Sequence, residues 1–327
     1  MILKSAVKAV GILSIFALVA CGGSGSNPVT GGDSDDGVVT DPGTDPNASL
    51  TDAAFLFDTS KNLVANSFVF TPGATPGTGT ISINNLPFDG VSSQGGAYTP
   101  RPGVVLPSGA VYQNTPNNPA EDQYYAVVLT SGPGGTGALV GAVATNRYVE
   151  FGYGGAYASR PTGSGLPPTR PATYQYTGSY NGIRVIRQNE AVGAANGIQL
   201  TTGDAEVNID LQDFDLTGAI RGQIINRQLF DLNGNPVGNL GRIELVITDL
   251  DPATLETTNG TTNTVNSDNT AAQTGTWTGL VSGPNGEEVA GFLIVEGDIA
   301  DTDPNFDTNT AREVVTGRET GGFIATR

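Results

Sequence analysis

The chain has 327 residues, with 15 basic against 32 acidic side chains, no histidine and one cysteine. A net charge of −17 disfavours nucleic acid and anionic lipid surfaces as partners. Without histidine, the chain cannot build a Ser-His-Asp triad, a Cys-His dyad or an imidazole ligand for metal or haem. No glycine-rich loop is followed by Lys-Ser/Thr, and Glu287 and Glu288 are sequence neighbours rather than a facing carboxylate pair. We therefore expect no enzymatic activity and no cofactor. The acidity could serve solubility alone or suit a basic protein partner.

The first 21 residues have the layout of a bacterial lipoprotein signal. Lys4 and Lys8 precede an apolar run over residues 9–20, which is too short to span a bilayer. The run leads into Leu18-Val19-Ala20-Cys21, a lipobox, and Cys21 is the only cysteine of the chain. We expect residues 1–20 to be a signal peptide and Cys21 to become a lipidated N-terminus. An ordinary signal peptide with a chance cysteine is the alternative.

Residues 21–50 are predicted to be the lipidated cysteine and a disordered acidic tether. After Cys21 this stretch has no aromatic and no basic residue, and it is rich in Gly, Asp and Pro. Such a composition buries too little apolar surface to offset the entropy of ordering. Gly22, rather than Asp, follows the cysteine and favours transfer to the outer membrane. The predicted location is therefore the outer membrane, with its periplasmic and cell-surface faces both open.

Residues 51–165 are predicted to form a β-rich, handle-like domain. Strand-like runs occupy residues 67–70, 80–83, 124–129, 138–143 and 148–153. Between them, the Pro/Gly/Asn-rich passage 86–121 is predicted to be a long loop. Tyr98 and Tyr112 in this passage are the candidate binding residues, because tyrosine combines a large apolar ring with a polar hydroxyl. The alternative is that both tyrosines pack the domain core.

Residues 166–327 are predicted to form an eight-stranded antiparallel β-barrel. Apolar and polar residues alternate clearly over 205–212 and 242–248, as in strands with one buried face. Eight candidate strands begin near Tyr174, Ala205, Thr217, Arg242, Thr254, Gly275, Glu288 and Arg312. Eight strands close into a barrel that side chains can just fill, whereas an apolar ligand inside would require a cavity. Residues 256–273 are predicted to be a second long loop.

The whole chain is thus predicted to be all-β, a handle-like domain followed by a barrel. Closure requires the first and last barrel strands to meet, so we expect 174–186 to pair with 317–326. A transmembrane barrel is disfavoured because aromatics are only 7% of the chain, too few for two aromatic girdles.

The acidic segment Asp301–Asp307 spaces its oxygen ligands as an EF-hand loop does. However, Phe306 and Arg312 stand where that loop requires Gly and a bidentate Glu. We predict no metal site here and leave weak calcium binding open.

Three segments of the predicted barrel resemble bacterial surface lipoproteins related to transferrin-binding protein B. Residues 174–182 (YQYTGSYNG) resemble the opening barrel strand, and residues 321–327 (GGFIATR) resemble the closing strand. Residues 275–291 (GTWTGLVSGPNGEEVAG) resemble the late hairpin of the family. The matching residues are Tyr176, Gly178, Trp277, Gly283, Pro284, Glu288, Gly291 and Gly321.

The resemblance implies a barrel of this family in a shorter, single-lobe relative, and it does not carry transferrin binding over to this chain. Gly286 stands where the family usually has Ala, and residues 280–282 replace an aromatic pair. The matching residues are interpreted as mainly structural. Trp277 could plug the barrel or offer a stacking surface to a ligand.

The predicted function is that of a non-catalytic, lipid-anchored protein that binds a macromolecule or nutrient through loops on the barrel scaffold. The alternative is a structural component of the envelope or surface coat, without a dedicated ligand.

Overall fold

The computed structural model describes residues 53–57, 67–75, 77–84, 97–114, 124–146, 153–168, 172–187, 197–212, 218–257, 260–306 and 315–327. Across these ranges every regular element is a β-strand, which confirms the all-β prediction. The same ranges contain no helix with the length and apolar character needed to cross a membrane.

The N-terminal region is an antiparallel sheet accompanied by a separate hairpin. The sheet has six strands in the order β1-β8-β7-β6-β5-β4, and the hairpin joins β2 to β3. A single bridge connects hairpin and sheet, with Ile81 and Tyr98 exchanging backbone hydrogen bonds of 3.0 and 2.8 Å. The strands are β1 Ala53–Phe57, β2 Ser67–Pro72, β3 Gly79–Asn84, β4 Thr99–Leu106, β5 Gly109–Gln113, β6 Tyr125–Thr130, β7 Leu139–Thr145 and β8 Tyr153–Ser159.

The second region is an eight-stranded barrel, as predicted. Its ring runs β9-β10-β11-β13-β15-β16-β17-β18 and closes on β9, with every pairing antiparallel. Two short strands supplement the ring: β12 extends β11, and β14 lies between β13 and β16. The strands are β9 Thr173–Arg187, β10 Gly197–Asp210, β11 Gly218–Phe230, β12 Pro236–Asn239, β13 Ile243–Asp251, β14 Glu256–Thr257, β15 Gly260–Val265, β16 Ala271–Ser282, β17 Glu288–Asp298 and β18 Thr316–Thr326.

The predicted closure is confirmed, while several strand positions differ from the prediction. Gly317 stands opposite Ile186 and Thr326 opposite Thr177, so β18 closes on β9 in one continuous register. The second strand begins at Gly197 rather than near Ala205, and the eighth at Thr316 rather than near Arg312. The strand predicted near Thr254 is only the two residues of β14, and β15 supplies the ring strand.

Both predicted long loops are wrong in part, because each contains strands. The passage 86–121 includes β4 and β5, and 256–273 includes β14, β15 and the start of β16. Pro100 and Pro102 are tolerated in β4 because it is an edge strand of the sheet. β15 (GTTNTV) is rich in Thr and lacks the apolar alternation that marks the other strands.

The sheet packs against one wall of the barrel, formed by β9, β17 and β18. Leu129, Val140 and Ala156 of the sheet share a buried cluster with outward-facing Phe292 and Ile324 of the barrel. β17 is therefore buried continuously from Glu288 to Leu293, with the barrel core on one face and the sheet on the other. At the start of β10, Ile198 and Leu200 are buried against the sheet, whereas the burial alternates from Ala205 to Asp210.

Candidate functional site

A tight turn joins β16 to β17 at the motif hairpin. Gly283 and Gly286 both have positive φ, at 90° and 63°, and Gly286 N–H donates to the Gly283 carbonyl at 3.0 Å. Positive φ is easy for glycine and strained for alanine, and a Cβ at position 286 would also lie 2.6 Å from Pro167 Cδ. Glycine at position 286, where the resembled family usually has Ala, therefore fits the backbone conformation of this turn. Pro284 lies within the turn.

The C-terminus and the first barrel strand hold this turn in place. Tyr176 donates its hydroxyl hydrogen to the Gly286 carbonyl at 2.7 Å, and Arg327 Nε donates to the same oxygen at 3.1 Å. Arg327 Nη2 also donates to Asn285 O at 2.8 Å, and its guanidinium lies 4.9 Å above the Tyr174 ring. Burial raises the pKa of Tyr176, so its hydroxyl stays protonated and remains a donor. The turn is thus a fixed part of the scaffold.

Glu288, the first residue of β17, reaches across to the connection between β6 and β7. Its Oε2 accepts hydrogen bonds from Ser131 Oγ at 2.6 Å and from Thr136 Oγ1 at 2.5 Å. Thr136 Oγ1 also lies 2.7 Å from Ser282 Oγ. The side chain is 1% exposed, and its Oε1 has no hydrogen-bond partner among the residues that the structure describes. A Cβ at Gly135 would lie 2.5 Å from that oxygen, so the backbone approaches the carboxylate closely.

Around these contacts, an open cleft of about 600 Å³ separates the sheet from the barrel. The loop segment 132–136 forms one side, and Pro284, Glu287, Glu288 and the C-terminal residues Thr326 and Arg327 form the other. Hydrogen bonds from the Asn285 side chain and backbone, together with the Arg327 charge, lower the pKa of Glu287. The cleft therefore presents the carboxylate of Glu287 and the guanidinium of Arg327, both held by hydrogen bonds to the turn.

A separate polar cluster lies inside the barrel, at the end away from Glu288. Glu319 is fully buried, and it accepts from Tyr180 Oη at 2.7 Å, Thr201 Oγ1 at 2.9 Å and Arg227 Nη2 at 2.5 Å. Burial alone would raise the pKa of Glu319, but the Arg227 and Arg184 charges and these hydrogen bonds hold it below its ordinary value. Burial and the Glu319 charge raise the pKa of Tyr180.

A second ion pair completes this cluster, between Arg184 and Asp303. Both side chains are buried, so the two arginines of the cluster are matched by two carboxylates. The cluster fills this end of the barrel with compensated charge.

Trp277 and the motif glycines lie within the packed barrel. Trp277 is 1% exposed, its ring centroid is 6.5 Å from that of Phe323, and its Nε1 donates to Val246 O at 3.3 Å. This geometry favours the barrel-plug interpretation over a ligand-stacking surface. At Gly178, Gly291 and Gly321 a Cβ would lie 1.9, 2.4 and 2.3 Å from Ile324 O, the Phe323 ring and Tyr180 Oη respectively.

The two candidate binding tyrosines are buried in the core between the hairpin and the sheet. Tyr98 is 0% exposed and Tyr112 2%. Tyr112 meets the Phe70 ring edge-on, with 5.9 Å between centroids. This burial favours the packing alternative over a role as exposed anchors on a loop.

The acidic segment Asp301–Asp307 uses its described carboxylates in hydrogen bonds. Asp301 accepts from the Ser267 N–H at 2.7 Å and from the Ser267 hydroxyl, while Asp303 pairs with Arg184. Asp307 lies outside the described residues, and so does Cys21. Within the described part of the chain, no three His, Cys, Asp or Glu residues cluster as a metal site would require.

The hydroxyl partners of Glu288 are the part of the site that the sequence interpretation missed. Ser131 and Thr136 lie 157 and 152 residues from Glu288, in a Gly/Pro-rich connection without any recognisable motif. In the sequence, the only signal for this site was Glu288 itself, a residue of the family-like hairpin that was interpreted as structural.

No family model matches the sequence, and no curated protein matches it either. Similar solved structures include transferrin-binding protein B from Haemophilus parasuis Hp5 as a double mutant, at 13% identity and a TM-score of 0.37, and as a single mutant, at 13% and 0.32. Another is intact Ap-TbpB with its N and C lobes, at 12% identity and a TM-score of 0.34. Each match covers 84% of this chain and 45% of the solved chain, so this chain spans less than half their length. The fold assignment rests on the strand pairing described above rather than on these scores.

Proposed function

We propose that this chain is a non-catalytic binding protein, anchored by lipid on Cys21 to the outer membrane, that captures a protein or nutrient on its outer surface. The observation that carries the proposal is the position of the cleft relative to the packed barrel. Trp277, Phe323 and the Glu319–Arg227 pair occupy the barrel interior, whereas the cleft lies outside it, between barrel and sheet. A rigid scaffold that exposes loops at such a junction is typical of binding proteins.

The anchor and the tether are the parts of the proposal that rest on the sequence. A lipobox at Cys21 supplies the acylation site, and each buried methylene of an acyl chain adds about 0.8 kcal/mol to membrane binding. Fully extended, residues 22–50 could reach on the order of 95 Å, enough to carry the folded regions clear of the lipid headgroups. Removing residues 1–20 also removes Lys4 and Lys8, leaving 13 basic against 32 acidic side chains, a formal charge of −19.

Anchoring is tested by labelling cells with a palmitate analogue. The natural chain is expected to incorporate the label and to fractionate with the outer membrane. Cys21→Ser is expected to lose both. A Cys21→Ser protein that is still labelled and membrane-bound would end the lipoprotein interpretation.

Binding at the cleft is tested by capture with the full-length chain in detergent, carrying an affinity tag within the tether. Thr326→Trp places a large ring in the cleft at an exposed position, and Val237→Trp is a matched control on exposed β12. We expect a partner to be captured by the natural chain and by Val237→Trp but lost with Thr326→Trp. Equal capture by all three would move the site away from the cleft. Capture of no partner by correctly folded, anchored protein would favour the structural envelope role.

A further inference from the structure

We infer that a small cavity at the Glu319 end of the barrel is a binding site for a monatomic anion such as chloride. The connection from β17 to β18 borders the cavity and contributes Ala300, Thr302 and Asp303 to its lining. The volume is about 10 Å³, close to the minimum for one particle the size of a water molecule. The inference is independent of the proposed function, and its residues differ from those of the cleft.

Two buried arginines line the cavity and carry unpaired hydrogen-bond donors. Arg184 on β9 is 1% exposed, and Arg227 on β11 is 3% exposed. Arg184 Nε, Arg184 Nη1 and Arg227 Nε have no hydrogen-bond partner within the described part of the chain. These three nitrogens carry four hydrogens, and burying charged donors without a partner is costly. A ligand that accepts hydrogen bonds would remove part of this cost.

The remaining guanidinium nitrogens hold both arginines in position. Arg184 Nη2 donates to Asp303. Arg227 Nη2 donates to Glu319 at 2.5 Å, and its Nη1 donates to the Gly241 carbonyl at 2.6 Å. Because both guanidinium groups are fixed before a ligand binds, little side-chain entropy is lost on binding.

The size and the chemistry of the cavity restrict the ligand to a small anion or water. A cation would meet two guanidinium charges and N–H groups that cannot coordinate it. Polyatomic anions such as sulfate and phosphate need far more than about 10 Å³. An apolar ligand would leave the guanidinium donors unpaired.

A chloride ion fits these donors better than a water molecule does. Water must donate its own two hydrogens as well as accept, and three acceptors of the lining are already in use. Asp303 accepts from Arg184, the Gly241 carbonyl accepts from Arg227, and the Thr264 hydroxyl oxygen accepts from a backbone N–H. Chloride needs no acceptor, so every donor that reaches it can be paired.

The charges around the cavity permit an anion without making its binding tight. Arg184 and Arg227 line the cavity with one carboxylate, that of Asp303, whereas Glu319 is not in the lining. Together with Glu319 the four charges sum to zero, so hydrogen bonds rather than net charge would hold the anion. We therefore expect a millimolar affinity for chloride.

The first test measures chloride binding to the full-length chain in detergent. Sodium chloride is titrated while sodium gluconate keeps the ionic strength constant, and binding is detected by the broadening of the chloride NMR line. We expect saturable broadening and a melting temperature about 2–4 °C higher in saturating chloride than in gluconate, since a ligand of the folded state stabilises it. Broadening that does not saturate, or an unchanged melting temperature, would indicate water in the cavity and overturn the inference.

A conservative substitution tests the unpaired donors. Arg184→Lys keeps a positive charge opposite Asp303 but removes Nε and Nη1. Arg242→Lys is the matched control, at a side chain that is 38% exposed and pairs with Glu244 outside the cavity lining. We expect Arg184→Lys to weaken chloride binding at least about tenfold, as for the loss of a charged hydrogen bond, and Arg242→Lys to leave it unchanged. Equal affinities in the two variants would contradict a site at Arg184.

A second pair of variants tests the location without replacing a buried charge. Thr302 is exposed and lines the cavity, so Thr302→Leu should obstruct it. Thr276→Leu is the control, at an exposed position of β16 outside the lining. Saturable broadening is expected to disappear in Thr302→Leu alone, and its persistence there would place chloride elsewhere and overturn the inference. The palmitate and capture experiments are unaffected by either result.

Discussion

Glu319, inside one end of the barrel, and Glu288, outside the other end against the sheet, are both buried, but their charges are stabilised differently. Glu319 pairs with Arg227 and accepts from two hydroxyls. Glu288 accepts from Ser131 and Thr136, and its second oxygen has no partner among the residues that the structure describes. Glu319 is fully buried inside the barrel, so a guanidinium offsets part of the cost of its desolvation. Glu288 lies beside an open cleft, where nearby solvent reduces that cost. The charges of the interior cluster thus compensate one another, while the carboxylate at the junction lies beside a cleft that is open to solvent.

Opening the barrel should destabilise the protein more than any of the point substitutions below. Deletion of residues 318–327 removes most of β18, which carries Glu319 and closes the ring on β9. Both neighbouring strands, β9 and β17, would then expose unpaired backbone edges, and such edges template aggregation. We expect the truncated protein to aggregate in size-exclusion chromatography with light scattering. A monomer with an unchanged melting temperature would contradict closure by β18.

Neutralising Glu319 and Glu288 in turn should destabilise the protein to different extents. Glu319→Gln leaves Arg227 buried without a counter-charge, so we expect a loss of about 3–5 kcal/mol in the free energy of unfolding. Glu288→Gln is the matched control: its amide oxygen can still accept from Ser131 and Thr136, and we expect a loss of about 1 kcal/mol. Urea unfolding of the full-length chain measures both values. Equal losses would mean that the two carboxylates are stabilised alike.

The close approach of β9 and β18 at Gly178 predicts a smaller loss of stability when this glycine is replaced. A Cβ at Gly178 would lie 1.9 Å from Ile324 O, so Gly178→Ala must push β9 away from β18. We expect about 1–3 kcal/mol of destabilisation, the usual cost of overpacking. Gly197→Ala, at the start of β10 with no atom within 4 Å of its Cβ, should change stability by less than about 0.5 kcal/mol. Thermal unfolding compares the pair, and similar melting temperatures would show that the strands can adjust.

Acid should weaken the polar cluster around Glu319 inside the barrel. The pKa of Glu319 is lower in the folded state than the ordinary carboxyl value of about 4.3 expected for the unfolded chain. Its contribution to stability is therefore present above that unfolded value and is lost as the pH falls through the folded-state pKa. We expect the stability difference between the natural chain and Glu319→Gln to shrink below about pH 4. A difference that stays constant down to pH 2.5 or so would contradict a lowered pKa for Glu319.

Local patterns in the sequence predicted the barrel well. The alternation over 205–212 appears as alternating burial in β10 from Ala205 to Asp210, a part of the strand that lies beyond the residues buried against the sheet. The Pro284-Asn285-Gly286 turn sits where turn chemistry placed it, since glycine supplies a positive φ cheaply. Strands without such patterns were missed. β4 carries prolines, and β15 is built from Thr and Asn, so both depend on their neighbours for pairing.

The sequence alone determined the all-β class and most of the ring strands, because strand periodicity and turn chemistry act between near neighbours in the chain. It also predicted the closing pair of strands, but the eighth ring strand is β15 rather than the strand predicted near Thr254. Only the tertiary structure decided which polar groups meet. Arg227 and Glu319 are 92 residues apart, and Ser131 and Glu288 are 157 residues apart. Such contacts depend on how the barrel closes and on which wall the sheet covers, and no local pattern encodes either. The burial of Tyr98 and Tyr112 was decided in the same way, by the hairpin that packs over them.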